Sequence, residues 1–320
     1  MTTALKPQRV HHYTTVLFDS ARWEGFEHRP GDILVCTAYK AGTTWTQMIC
    51  ALLIFQRAQL DRPLSEISPW LEMEIRPVDE AFATLAGQSH RRFIKSHTPL
   101  DGLPWWDDAT YLFVGRDPRD ILLSMVNHKR NINPEATAAM VARKLGIPKD
   151  QVPPSGLRLP EDVNDLARMW LSQGSFPWEE DGFPFWSVFN HARTFWEFRH
   201  LPNIHFLHYG DLQADLAGQM RRLAGLLSID VPENRWPALV EAAGFASMRD
   251  NADMTAPDAH LDMWRDNKEF FHKGTTGQWR DGLSPETLAL FETVMAERMP
   301  PALSAWMCSG SRGEGDPKSL

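Results

Sequence analysis

Four short apolar runs constrain this chain more than any other feature. They are "DILVCT" (32–37), "RRFIKS" (91–96), "TYLFVG" (110–115) and "NIHFLHY" (203–209), each bounded by turn formers or charges. Parallel strands buried on both faces read this way. Between them the spacing turns helical. After Gly42, the residues Trp45, Met48, Ile49, Leu52 and Phe55 recur on one face. Asp117 is a candidate N-cap with Pro118 at the first helical position. Asp211 is read as the cap of a helix carrying Leu212, Leu216, Met220, Leu223 and Leu227, and "SPETLALFETVMAERM" (284–299) repeats a Ser-cap, Pro-first start. The alternation predicts an α/β fold with a central parallel sheet flanked by helices. Ligands of such sheets bind beyond the carboxyl ends of the strands. Lys40, Lys95 with His97, Arg116 and Tyr209 stand there: three cations and a histidine on one rim.

No linker divides the 320 residues, so one domain is expected over 1–320, with its core at about 30–300. The net charge of −8 argues against broad nucleic-acid binding. "ICALLIF" is the longest apolar run, too short to span a bilayer, and "MTTALKPQRVHHY" lacks the apolar core of a secretion signal. Cys36, Cys50 and Cys308 have neither metal-ligand spacing nor an even-numbered framework. A reduced, cytoplasmic protein with buried thiols and no metal is expected. Residues 130–185, rich in Pro, Gly and aromatics, read as partly helical loops forming a lid over an acceptor site, and 307–320 as a mobile tail.

The loop "TAYKAGTTW" (37–45) joins the first strand to its helix. A helix N-terminus offers unpaired N–H groups, and Gly42 allows close approach of a phosphate or sulfate beside Lys40. The same residues also make an ordinary strand–helix turn. The nucleoside-triphosphate pattern G-x-x-x-x-G-K-[ST] is not matched, since the lysine precedes the glycine, and no magnesium carboxylate ends a neighbouring strand. "FIKSHTP" places Lys95 and His97 together, and a histidine there can take a proton from an alcohol. "VGRDPRDILLSM" sets Arg116 at a strand end and Ser124 two turns into the following helix, where they could share a phosphate, although Arg116 could equally pair with Asp117 or Asp120. "FFHKGTTGQW" (270–279) reads as a phosphate-contact loop or a surface loop.

In this order, "YKAGTTW", "IKSHTPL", "GRDPRDILLSM" and "FFHKGTTGQW" resemble the phosphosulfate loop, Lys-Thr-His, 3′-phosphate and Arg-Lys-Gly segments of the cytosolic sulfotransferase family. "FLHYGDL" looks like its Tyr-Glu-Asp strand end. The similarity runs from about residue 30 to 300. Within the family, "SPWLEMEIRP" and "HRRFIKSHTPLDGLP" look most like the mycobacterial glycolipid sulfotransferase branch. The resemblance implies 3′-phosphoadenosine 5′-phosphosulfate (PAPS) as co-substrate, no metal, and a small-molecule or lipid-like hydroxyl acceptor. It implies that His97 is the base, that Lys40 stabilises the departing phosphate, and that Lys95 supports the transferring group. Ala41, Gly42, Thr43, Thr44 and Trp45 would hold the 5′-phosphate, with Trp45 on the adenine. Arg116, Ser124, Lys273 and Gly274 would bind the 3′-phosphate. Tyr209, Ser247 and Met248 would lie by the adenine, and Phe185, Trp186 and His191 on the acceptor side.

Three residues depart from the family pattern. His272 replaces an arginine, Tyr39 a proline, and Met248 a stacking aromatic. "RDGLSPETLA" lacks the family's dimerisation motif, leaving the oligomeric state open. A metal-dependent kinase and a non-catalytic nucleotide-binding relative are the rival readings. Phe176, Trp178, Phe183, Phe185, Trp186 and Phe189 favour an apolar or amphipathic acceptor, or simply pack the lid.

Overall fold

The computed structural model describes residues 5–153 and 159–320. Its sheet holds β1 (Ile33–Thr37), β2 (Phe93–Ser96), β3 (Thr110–Gly115) and β4 (Ile204–His208), all parallel, in the order β2-β1-β3-β4. Ile33 pairs with Phe93 on one side and Thr110 on the other, and Tyr111 pairs with Ile204. Only Thr110 and His205 of these strands are not buried. Each expected strand is present, within about two residues of its expected ends.

Successive strand side chains alternate between two cores. Leu34, Cys36, Ile94, Tyr111, Phe113 and Phe206 enter one, and Ile33, Val35, Phe93, Leu112, Val114 and Leu207 the other. The second core is covered by α1 (Thr43–Phe55), whose Met48, Ile49, Leu52 and Leu53 are buried. α2 (Pro118–Asn131) starts as expected, with the Asp117 carboxylate accepting from the Arg119 amide. α3 (Pro134–Leu145) follows. α4 (Val163–Ser172) and α5 (Val188–Glu197) cover the first core.

Three expectations need correction. Part of the expected lid is core: α4 buries Leu166, Ala167, Trp170 and Leu171, and Phe189 packs on Trp170. Within that stretch, 154–158 lies outside the described residues. The helix after β4 is broken in two, α6 (Tyr209–Ala214) and α7 (Leu216–Leu226), capped by His208 and Asp215 and not by Asp211. Asp211 instead accepts from the amides of Ser311 and Arg312.

Those amides explain the third. After α8 (Pro285–Arg298), α9 (Pro301–Glu314) buries Leu303, Trp306 and Met307. Arg199 and Lys318 then tie the end of the chain through the Pro317 and Leu201 carbonyls. The expected mobile tail is packed structure.

Candidate active site

The turn after β1 is tight and strained. Lys40 has φ 62° and Gly42 φ 113°, both left-handed, before the chain enters α1. A Cβ on Gly42 would stand 3.1 Å from the Tyr209 ring, so position 42 is closed to side chains by conformation and by contact. No side chain caps α1, which leaves its first-turn amides to an incoming anion. Ala41, Thr43 and Thr44 are buried beneath the turn, and the Thr37 and Thr43 hydroxyls stand 2.5 Å apart.

His97 follows β2 and is buried. Its Nδ1 lies 2.8 Å from the Thr37 carbonyl oxygen. A carbonyl can only accept, so Nδ1 carries the proton and Nε2 keeps the lone pair. Burial, then the nearby Lys95, holds the imidazole well below its ordinary pKa. It is therefore neutral at pH 7 in the tautomer a base needs. Tyr39 stacks on it at 4.4 Å, Trp70 meets it edge-on at 4.8 Å, and the Trp186 indole N–H donates to the His97 carbonyl. Phe185 packs on Tyr39 at 4.3 Å. These four aromatics wall one side of the histidine.

The cations lie around it. Burial, then Arg116 and Lys95, pulls Lys40 down to about 7. Its Nζ sits 3.2 Å from His128 Nδ1 and 4.4 Å over the Phe270 ring. Lys95 lies 4.2 Å over Trp70, and burial pulls it to about 8. Arg116 is buried, donates to the Lys40 and Thr275 carbonyls and lies 4.0 Å over the Tyr209 ring. It does not pair with Asp117 or Asp120: Arg119 engages the first, and the amides of Gly277 and Gln278 the second. Arg116 Nε is buried and has no hydrogen-bond partner among the described residues. A buried guanidinium with an unmatched N–H fits an anionic ligand.

The remaining expected residues divide. Trp45 packs edge-on to Tyr209 at 5.3 Å and donates to the Ala243 carbonyl. Ser124 lies one turn before His128 on α2, partly buried, as is Ser247. His272 and Lys273 are exposed, while Gly274, at φ 64°, packs beneath Phe245. Two placements differ from expectation. Met248 is 2% exposed and packs in the second core. His191 is fully buried between Phe113 and Phe195, and neither ring nitrogen has a partner. It touches no open surface, and burial drives it down to about 3.

Sequence reasoning missed His128, Trp70 and Phe270. Trp70 had a signal, since it lies in "SPWLE"; in the structure it bridges in parallel to Lys95.

An uncapped helix start at a strand–helix turn, a neutral histidine and a rim of cations stand together at the carboxyl ends of an α/β sheet, where such sheets bind ligands. A sulfotransferase domain model matches residues 30–301, and the chain belongs to that family. A glycolipid sulfotransferase of Mycobacterium bovis is 36% identical over 94% of this chain and 95% of its own length. Human sulfotransferase 1C2 is 23% identical over 93% and 90%. Among solved structures, retinol dehydratase in complex with androsterone and inactive cofactor PAP superposes with a TM-score of 0.66 at 23% identity, over 87% of this chain and 83% of that one. A mouse sulfotransferase complexed with PAP gives 0.63 at 19%, over 88% and 89%. At these identities the structures speak for the fold alone. No helix among the described residues is long and apolar enough to cross a membrane.

Proposed function

We propose that this chain transfers the sulfonate of PAPS to a hydroxyl of an apolar or amphipathic acceptor, with a glycolipid as the favoured class. The observation that carries the reading is the convergence of neutral His97, Lys40 and the unmatched Arg116 Nε on one rim. The family and the mycobacterial relative support sulfonate transfer over phosphoryl transfer. The free amides of α1 and the buried Thr43 and Thr44 would hold the 5′-phosphate. Arg116 and Ser124, with Lys273 and Gly274, would hold the 3′-phosphate. When bound, PAPS supplies an activated sulfonate. His97 Nε2 takes the hydroxyl proton, and Lys40 offsets negative charge on the departing side. The aromatic wall of Tyr39, Trp70, Phe185 and Trp186 suits an apolar acceptor body beside that base.

The test is a thermal shift with 3′-phosphoadenosine 5′-phosphate (PAP), beside ATP with and without magnesium. Ligand at a hundred times its dissociation constant adds about 2.7 kcal/mol. A rise with PAP alone, followed by label transfer from PAPS to a glycolipid, is expected. A rise only with ATP and magnesium overturns the reading in favour of a kinase. Binding of PAP without turnover on any hydroxyl acceptor would leave a non-catalytic relative.

A further inference from the structure

Lys40 is a half-buried ammonium held by two uncharged groups, the His128 imidazole at 3.2 Å and the Phe270 ring at 4.4 Å. The charged groups that bear on it are Arg116, at the end of β3, and Lys95, on β2. Both are cations; Asp258 and Glu72 bear on Lys95, but among the described residues no carboxylate bears on Lys40 itself. His128 stands on α2 against Trp264 at 4.9 Å and Phe270 at 6.1 Å. The groups bearing on it are Lys40, Lys95 and His97, again without a carboxylate. Burial first, and then these cations, keeps its ring neutral; an ammonium has no lone pair, so Nδ1 accepts from the charged form of Lys40 and the ring proton sits on Nε2.

A lysine withdrawn from water is usually paired with a carboxylate. A carboxylate here would have to be displaced by any anionic ligand, and the lysine would be lost to that competition. A neutral nitrogen acceptor orders the side chain and releases it cheaply. We propose that His128 is the positioning residue for Lys40: it stores the ammonium without a counter-charge, so that an entering anion takes the lysine over. This rests on the PAPS reading above and adds to it a residue, outside the four motifs, that sets when Lys40 is charged.

The test is the pH dependence of PAP binding, measured by calorimetry between about pH 5 and 9, on the wild type and three variants. In the wild type, affinity falls as pH rises through the titration of the free enzyme's Lys40. In His128→Leu the charged form loses one hydrogen bond, which moves that midpoint down by about one pH unit. His128→Asn presents an amide oxygen near the place of Nδ1 and restores the midpoint. His128→Asp supplies a competing carboxylate, and affinity falls about tenfold across the range. A folding defect would lower affinity for Leu and Asn alike, with no displacement of the midpoint. Coincident profiles for wild type and His128→Leu, or undiminished affinity in His128→Asp, would overturn the assignment. Absence of PAP binding by the wild type would instead sink the PAPS reading.

Discussion

At the scale of residues, the site is a set of buried groups whose charge states are chosen by burial. His97 is neutral because charging it beneath Tyr39 and beside Lys95 is costly. His97→Ala should lower turnover at least about a hundredfold, the usual share of a positioned base, while PAP binding persists. Retained turnover would remove it from that role. Arg116→Ala should act on binding instead, weakening PAP by about 1.5–3 kcal/mol in calorimetry, since its contact is charge-assisted. The residues legible in the sequence were those the strand-end rule selects: Lys40, Lys95, His97 and Arg116. His128 was not legible. It lies near the end of a helix, where a histidine ordinarily serves the helix dipole, and only the folded chain brings Lys40 to it. Met248 and His191 show the converse, both lying buried in the folded chain. A motif position says which residue is there, and burial decides what it meets.

At the scale of elements, the strands were legible because both faces of each are buried, which leaves continuous apolar runs. Helix ends were less so. Asp117 caps α2 through its own neighbours, a local relation that the sequence states. Asp211 is drawn to Ser311 and Arg312, a hundred positions on, which no local pattern reveals. The end of β3 carries a further constraint. A Cβ at Gly115 would overlap the Trp306 ring of α9. Gly115→Ala should therefore cost about 1–3 kcal/mol by urea unfolding, as overpacking does; an unchanged midpoint would show that α9 yields freely. The loop after α4 offers a pH test. Burial, and less strongly the neighbouring Asp181, pushes Glu179 up to about 8, and neither carboxylate oxygen has a partner. Burial likewise pushes Asp181 to about 6. The unfolded chain loses these protons at ordinary carboxylate values, so between those and about pH 8 the folded state binds more protons. Stability should fall as pH rises through that window, and Glu179→Gln should remove most of the fall in melting temperature. An identical slope in the variant would refute the assignment.

At the scale of the whole molecule, the rim of strand ends stands on a four-stranded parallel sheet closed by α9. Composition suggested a mobile end, because "CSGSRGEGDPKSL" is small and polar. Packing overrides that, since Trp306 and Met307 anchor α9 in the first core. Deleting 301–320 should abolish cooperative unfolding, and a retained sharp transition would show the sheet to be self-sufficient. The strand order has a kinetic consequence. β1 is central, yet Ile33 meets no strand partner until Phe93 and Thr110. During refolding, the apolar run 33–37 must wait with both edges open while long stretches of chain search for it. Recovery from denaturant should be slow and strongly dependent on concentration, favouring dilute, cold conditions over rapid mixing at high protein.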